Sequence, residues 1–392
     1  MRIILTPILF LISCFPSPAQ KLKADSISNR LPMETTDTGR VINMWKTASY
    51  LYSFAPDSSI RIAQRALFLA QRIKYPEGES RSLGQMANGF LSLGNYPQAL
   101  EYYLKKLQLE EAGNNPYNLA SVTMNIGIVY VYREEYARAL YYLHRSDSII
   151  TANKLTDLQF NINLNLGDVF NRQDENDSAF YYFNRSLYYA RQLNDVDFIG
   201  TALTGMGHLY TKGNQYDKAL HSYKQALDHL HVANNEDCIC EATLGLAKLY
   251  QAKGVTDSAN YFARYSFALG KKDGFQSRQL EAASFLTSLY RSTAENDSAY
   301  VYLEAEKLLS DSINSKEKIR TSEALSINEQ IRQEELFESN RRREEERRQQ
   351  LQLLLIGLCI PILFLITLLL SRVKVHVRII RFLGVISLLI LF

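Results

Sequence analysis

The chain is 392 residues long and carries 44 basic against 41 acidic side chains, a net charge of +3. So even a balance leaves no electrostatic footprint for a phosphate backbone, and no nucleic-acid partner is expected despite 25 tyrosines and 18 phenylalanines.

Residues 1–19 begin with Arg2 and a short, largely apolar run to Ile12, and end on Ser17-Pro18-Ala19, a small-x-small site before Gln20. That pattern reads as a secretory signal peptide. Leu11-Ile12-Ser13-Cys14 offers a second reading, a lipoprotein signal with Cys14 lipidated. Cleavage after Ala19 is favoured, because a later apolar span makes a lipid anchor redundant. Pro7, Pro16 and Pro18 argue against a helix of the mature fold here. Residues 20–40 then form a linker.

From residue 41 to residue 310 the chain is periodic. Ala99, Ala139, Ala179, Ala219, Ala259 and Ala299 lie 40 residues apart, and nine residues before each stands an aromatic: Phe90, Tyr130, Phe170, Tyr210, Tyr250 and Tyr290. Tyr50 and Ser59 extend the grid by one step, giving seven units in register. Repetition of this kind marks a solenoid, whose units bury their apolar faces against neighbours. Between aromatic and alanine the chain has turn character, and Gly94, Gly213 and Gly254 fall where a helix C-terminus needs positive φ. Apolar residues recur at helical spacing on both sides, so each unit reads as helix A, a tight turn and helix B. The small residue three before the aromatic (Ala87, Gly127, Gly167, Gly207, Ala247) lets helix A pack closely on its own helix B. The grid places most of the aromatics in the core.

Residues 311–350 change abruptly to a Gly- and Pro-free stretch rich in Glu, Arg, Gln and Lys, which predicts one long juxtamembrane helix. Its apolar residues keep no clean heptad for long, so a coiled-coil homodimer and a solvated single helix are both open. Leu351–Leu370 is 20 residues without a charge, enough to cross a roughly 30 Å hydrocarbon layer as a transmembrane helix. Residues 371–381 form a basic loop with Arg372, Lys374, Arg378 and Arg381, and the apolar tail 382–392 is too short to span. A re-entrant tail and the start of a truncated second span both fit that tail, and truncation is favoured. Five arginines before the span, Arg341, Arg342, Arg343, Arg347 and Arg348, against four basic residues after it leave the orientation undecided. The signal sequence decides it: the repeats are expected in the periplasm and the chain in the bacterial inner membrane.

The repeat residues resemble the tetratricopeptide repeat, whose pattern is a small residue, an aromatic three later, an alanine nine beyond and an aromatic four further on. Tyr103, Phe183 and Tyr223 supply the last position in three units, while Leu143, Ala263 and Leu303 depart from it. The usual period is about 34 residues, against about 40–47 for HEAT and armadillo units. Those families lack the internal signature, so the chain is most similar to bacterial, membrane-anchored periplasmic tetratricopeptide proteins with longer repeats. The six extra residues are expected in a longer helix B and in inter-repeat loops such as Ala112–Pro116.

The resemblance implies an all-α, right-handed superhelical solenoid of about seven helix-turn-helix units that binds a protein or peptide in a concave groove lined by the A helices. Carried over position by position, the groove residues are Arg81, Asn88, Asn125, Asn161, Asn165, Asp168, Asn171, Arg172, His208, Lys212, Lys248, Gln251 and Arg291. Asn125 and Asn165 resemble an asparagine ladder on a peptide backbone, since an amide both donates and accepts. Gln85, Gly205, Gly245 and Phe285 interrupt that ladder. The run His208, Lys212, Lys248 and Arg291 suggests an acidic segment or a C-terminal carboxylate as the distal ligand.

Little else in the chain points to chemistry. None of the six histidines sits in a catalytic motif, and no phosphate loop, nucleophile elbow or His-Glu-x-x-His pair occurs. His229, His231, Cys238 and Cys240 offer soft donors, but ligands two apart on a helix point to nearly opposite sides. Neither a metal, a cofactor nor an enzymatic activity is expected. A second reading of the whole is the sensory half of a split or truncated signalling regulator, with its output domain beyond residue 392.

Overall fold

The structure, a computed structural model, describes residues 36–52, 55–113 and 115–372, together with Phe382 and Val385. The signal-peptide and lipidation readings, most of the linker, the basic loop past Arg372 and most of the apolar tail lie outside these residues. The chain divides into two compact units, Met1–Leu325 and Ser326–Phe392.

In the first unit helices follow one another in pairs, and no strand occurs among the described residues. The first three pairs are α1 (Asp37–Leu51) with α2 (Pro56–Arg72), α3 (Pro76–Ser92) with α4 (Tyr96–Ala112), and α5 (Pro116–Tyr132) with α6 (Tyr136–Ala152). Then come α7 (Thr156–Arg172) with α8 (Asn176–Gln192), α9 (Val196–Lys212) with α10 (Tyr216–Ala233), and α11 (Glu236–Ala252) with α12 (Thr256–Asp273). The seventh pair is α13 (Gln276–Ser292) with the start of α14 (Asn296–Arg372). Odd-numbered helices are the A helices and even-numbered ones the B helices. Each grid aromatic from Tyr50 to Tyr290 lies in the last turn of an A helix. Each grid alanine lies in the first turn of a B helix.

The extra length of the repeat is not confined to helix B and to long loops, where the sequence suggested it would lie, but is shared with helix A. Helices α4, α5, α7 and α8 are all 17 residues long, A and B alike. A left-handed residue stops the helix at every twentieth position among the described residues: Lys74, Gly94, Glu134, Lys154, Asp174, Asn194, Asn214, Asn234, Gly254, Gly274 and Ala294 all have positive φ. The amide after each bonds back across the helix end, as in Asn95 to the Phe90 carbonyl (2.9 Å), Gln215 to Tyr210 (2.8 Å) and Glu295 to Tyr290 (2.9 Å). This is the Schellman closure, in which a left-handed residue lets the last carbonyls find donors. The repeat period is thus two equal helix-plus-link steps. Gly94 and Gly254 hold the left-handed position as expected, whereas Gly213 has φ −79° and its neighbour Asn214 takes that role. Proline at the first helical positions of α2, α3 and α5, and side-chain caps from Asn95, Asn115, Asp195 and Asn235, restart the chain.

Helix A meets its own helix B through the small residue. A Cβ added at Gly127 would lie 2.8 Å from Leu143, at Gly167 2.7 Å from the Phe183 ring, and at Gly207 2.5 Å from the Tyr223 ring. A second contact uses a column that the tetratricopeptide pattern does not include, three residues past the alanine. Phe90 stacks on Tyr102, Tyr130 on Tyr142, Phe170 on Tyr182, Tyr250 on Phe262 and Tyr290 on Tyr302, with ring centroids 5.4–5.6 Å apart. Such pairs add about 0.5–1.5 kcal/mol each beyond the area they bury. Further along helix B, the buried hydroxyls of Ser146, Ser186 and Ser266 donate to A-helix carbonyls of Ala120, Phe160 and Cys240 at 2.8, 3.2 and 2.8 Å. In the second pair Lys106 takes that place, donating to the Ser80 carbonyl (3.3 Å) and hydroxyl (2.6 Å) and to Glu110 (3.0 Å). Burial pushes the Lys106 ammonium down in pKa, and Glu110 opposes that push.

In the second unit, the backbone of residues 326–372 belongs to α14. Part of its side chains lie outside the described residues, and with them most of what the coiled-coil reading of 311–350 rests on. Leu351–Leu370 also falls within α14, but among the described residues no helix is long and apolar enough to cross a membrane. The expected transmembrane helix is therefore not supported by the structure, where many of the stretch's apolar side chains, such as Leu363, Phe364 and Leu365, go undescribed.

The links give a direct test. A left-handed L-residue costs roughly 1–2 kcal/mol, of which a glycine returns part to unfolded-chain entropy. Ala294→Gly should raise the unfolding free energy by about 0.5–1 kcal/mol on that basis. Gly254→Ala should lower it by about 1 kcal/mol through φ alone, since nothing lies within 4 Å of the added Cβ. Urea melts of the full chain measure both, and an unchanged Ala294→Gly midpoint would show that the links carry no strain.

Candidate binding groove

Successive A helices touch one another at α1–α3, α5–α7, α7–α9, α9–α11 and α11–α13, and among the described residues no B helix makes as extensive a contact with the next B helix. The A helices therefore form the inner side of the curve. That side is met at helical spacing by the positions six and two before the small residue, one after it, and one and two after the aromatic. All thirteen residues expected there are on A helices and none is in the core. Arg81, Asn88, Asn125, Asn161, Asn165, Asp168, Asn171, Arg172 and His208 are half-buried, and Lys212, Lys248, Gln251 and Arg291 are exposed.

The proximal half is built of amides. Asn88 accepts a short hydrogen bond from the Tyr103 hydroxyl and donates to Gln85 at 3.4 Å. Asn165 donates to the Asn161 carbonyl at 2.9 Å. The side chain of Asn125 makes no hydrogen bond among the described residues, and the Asn171 side-chain oxygen is buried with no partner there. Arg81 lies over the Trp45 ring at 5.6 Å, a cation–π arrangement that holds a charge beside an aromatic. Asp168 and Arg172 pair at 2.8 Å, one turn apart.

Packing explains why the asparagine column stops. A Cβ at Gly205 would lie 2.8 Å from the Phe183 ring, and one at Gly245 2.6 Å from the Tyr223 ring. Phe183 and Tyr223 project from helix B towards the next unit, so the facing A-helix position must be glycine. The same register sets Asn165 opposite the smaller Leu143. It also sets Asn125 opposite Tyr103, a ring whose hydroxyl turns back to Asn88 in its own unit. At the far end the exchange reverses, and Phe285 packs in one cluster with Ala263.

The distal half is ionic, and much of its positive charge is already engaged. His208 Nε2 lies 3.1 Å from Glu241, and its Nδ1 lies 2.8 Å from the Tyr223 hydroxyl. Arg278 forks onto Asp237 at 3.0 and 2.9 Å and reaches Glu241 at 2.7 Å. Lys212 donates to the Asn171 carbonyl at 2.7 Å and pairs with Asp174. Of the basic run inferred from sequence, only Lys248 and Arg291 have side chains without a hydrogen bond or ion pair among the described residues. Burial penalises the Glu241 charge, but Arg278 and the hydrogen bond from His208 overcome it and hold that carboxyl down at about 2. Glu281 is the opposite case: burial, against the pull of Arg278 and Lys248, pushes it up to about 7.

Sequence reasoning missed Asp237, Glu241, Arg278 and Glu281. Glu241 and Glu281 were within reach, because they stand in the same repeat register as Arg81 and Asn161. Arg278 sits one turn before Glu281, off that register, and only the packing of α13 on α11 brings it to Asp237. Cys238 and Cys240 are buried free thiols on α11. Burial pushes both up, Cys240 to about 12, which makes poor nucleophiles and poor ligands of them. No group of donors that could hold a metal ion occurs among the described residues. What the face offers is hydrogen bonding to peptide groups at one end and pairing with charges of both signs at the other.

Family models described as tetratricopeptide repeat match residues 82–117 and 158–230. No curated protein matches the chain in sequence. Among solved structures, the apo form of the quorum sensor NprR from B. thuringiensis is similar with a TM-score of 0.61 and 14% identity, over 74% of this chain and 82% of that one. A Rap protein complexed with competence and sporulation factor has a TM-score of 0.53 and 14% identity, over 76% of this chain and all of the other (100%). Apo RapI has a TM-score of 0.51 and 18% identity, over 65% and 99%. At these identities the likeness is one of fold, and the fold is the tetratricopeptide-repeat solenoid.

Glu281 predicts a pH dependence. A carboxyl whose folded pKa is raised contributes stability that is fully present below its unfolded value near 4.5 and is lost as pH rises through about 7. Glu281→Gln should leave the thermal midpoint almost unchanged at pH 4.5 and raise it at pH 8. An equal difference at both pH values would show that Glu281 does not titrate in this window.

Proposed function

We propose that the chain is a scaffold that holds an extended or helical polypeptide against the concave face of its A helices. The reading is carried by one observation: a polar face on the inner side of the solenoid, half-exposed, where Asn125, Lys248 and Arg291 make no side-chain hydrogen bond or ion pair among the described residues. Among the neighbours in fold, one is a quorum sensor and another is in complex with competence and sporulation factor. Both support a binding role for this solenoid and neither names its ligand. Asn125 and Asn165 engage backbone peptide groups. The distal half engages side chains of mixed charge rather than an acidic segment alone, because Glu241, Glu281 and Asp237 stand among its cations. A wild-type chain and an Asn125→Ala/Asn165→Ala/Lys248→Glu variant should be screened against one displayed peptide library. The variant should lose at least tenfold in affinity for the peptides selected on wild type, and equal affinity would remove the groove from consideration.

The scaffold is tethered to the bacterial inner membrane, with its repeats on the periplasmic side. The sequence supports this through the leader at residues 1–19 and the 20 uncharged residues Leu351–Leu370. Alkaline phosphatase fused after Ser310 should be active. A fluorescent reporter that matures only in the cytoplasm should be dark there, and the reverse pattern would place the repeats inside.

A further inference from the structure

Of the six units that carry the grid alanine, one lacks the ring that the others stack on their A-helix aromatic. Tyr102, Tyr142, Tyr182, Phe262 and Tyr302 cover Phe90, Tyr130, Phe170, Tyr250 and Tyr290, while the same register puts Ser222 beside Tyr210. At this break lies an open cleft of about 420 Å³ between α8, α9 and α10. That size falls within the roughly 300–1,000 Å³ typical of small-molecule sites. Leu187, Leu203, Met206 and Ser222 line it as buried side chains, with the half-buried Tyr210 ring beside them. The Ser222 hydroxyl makes no hydrogen bond among the described residues, so it is free to donate to an occupant.

Tyr210 is contacted at 6.1 Å by a tilted Phe180 and carries the Lys218 ammonium 5.6 Å from its centroid. The exposed rim holds Arg191, Lys218 and His221 against a single carboxylate, Asp217, which lies 3.5 Å from Lys253. An aromatic occupant would therefore meet stacking from Tyr210, an apolar floor and an excess of cations at the rim.

We propose that this cleft binds a small planar aromatic carboxylate, its ring on Tyr210 where the other units place a ring of their own and its carboxylate between Arg191, Lys218 and the Ser222 hydroxyl. The site shares no residue with the concave groove and stands independently of it. Its occupant fills a gap between the A and B helices of the fifth unit, α9 and α10, beside the preceding B helix α8, so binding should stiffen that unit.

The probe is indole-3-acetate, with the uncharged N-acetyltryptophanamide as a peptide-like comparison, titrated into the full chain and followed by saturation-transfer difference NMR. Indole-3-acetate should bind saturably, and the amide at least tenfold more weakly. Ser222→Tyr should restore the internal stack, raise the thermal midpoint and weaken indole-3-acetate at least tenfold. Lys218→Glu, a surface change, should weaken it by about tenfold with an unchanged melt, and it decides the matter alone should Ser222→Tyr fail to fold. No saturable binding at millimolar probe, equal binding of the amide, or binding unchanged by these substitutions would overturn the proposal.

Discussion

The backbone reversal that ends α2, α3 and α5 to α13 governs the rest of the solenoid. With a left-handed residue at every twentieth position among the described residues, A and B helices are held to nearly the same length. The grid aromatic then always falls in the last turn of helix A, and the alanine in the first turn of helix B. From that register follow the glycine that admits Leu143, Phe183 or Tyr223 and the rings stacked across each pair. The chain tolerates lysine, glutamate or alanine in the left-handed position at several links, which shows how strongly packing over-determines the turn. Local strain of that kind persists only where the surrounding contacts insist on it.

The inner face is shaped by the same packing. Glycine occupies it where Phe183 or Tyr223 comes forward from helix B, and asparagine opposite Leu143 and opposite Tyr103, whose hydroxyl is held by Asn88. The polar surface offered to a ligand is therefore set by the core as much as by recognition. Its distal charges form a chain of pairs from His208 through Glu241 to Arg278 and Asp237, and a buried pair of this kind costs more when broken than it returns when formed. A ligand does better to complement that network than to invade it.

Much of this was legible in the sequence. The repeat register and the pairing of small residue with large follow from spacing, while the choice of the thirteen A-helix side chains rests on the resemblance to the tetratricopeptide repeat. The location of the extra length was not legible, because lysine, glutamate and aspartate at the links carry no turn signature of their own, unlike Gly94 or Gly254. Gly213 drew attention away from Asn214, its neighbour by one. Arg278 was hidden because its role depends on the distance between the A helices of two successive repeats. Ser222 stood in the open as the one break in the column of rings from Tyr102 to Tyr302, but that column falls outside the familiar repeat pattern. Its meaning emerged only with the stacks.

Because the links recur at a constant step, each closing one helix, the solenoid has a built-in quantum of length. Loss or duplication of one full repeat joins like to like: an A helix still follows a B helix, and each A-helix aromatic keeps the partner of its own unit. A change of half a repeat would place an A sequence where a B sequence belongs, turning glycines outward and polar columns into the interior. Chains of this architecture should therefore differ in extent by whole pairs, and the reach of the inner face should grow or shrink in the same increments.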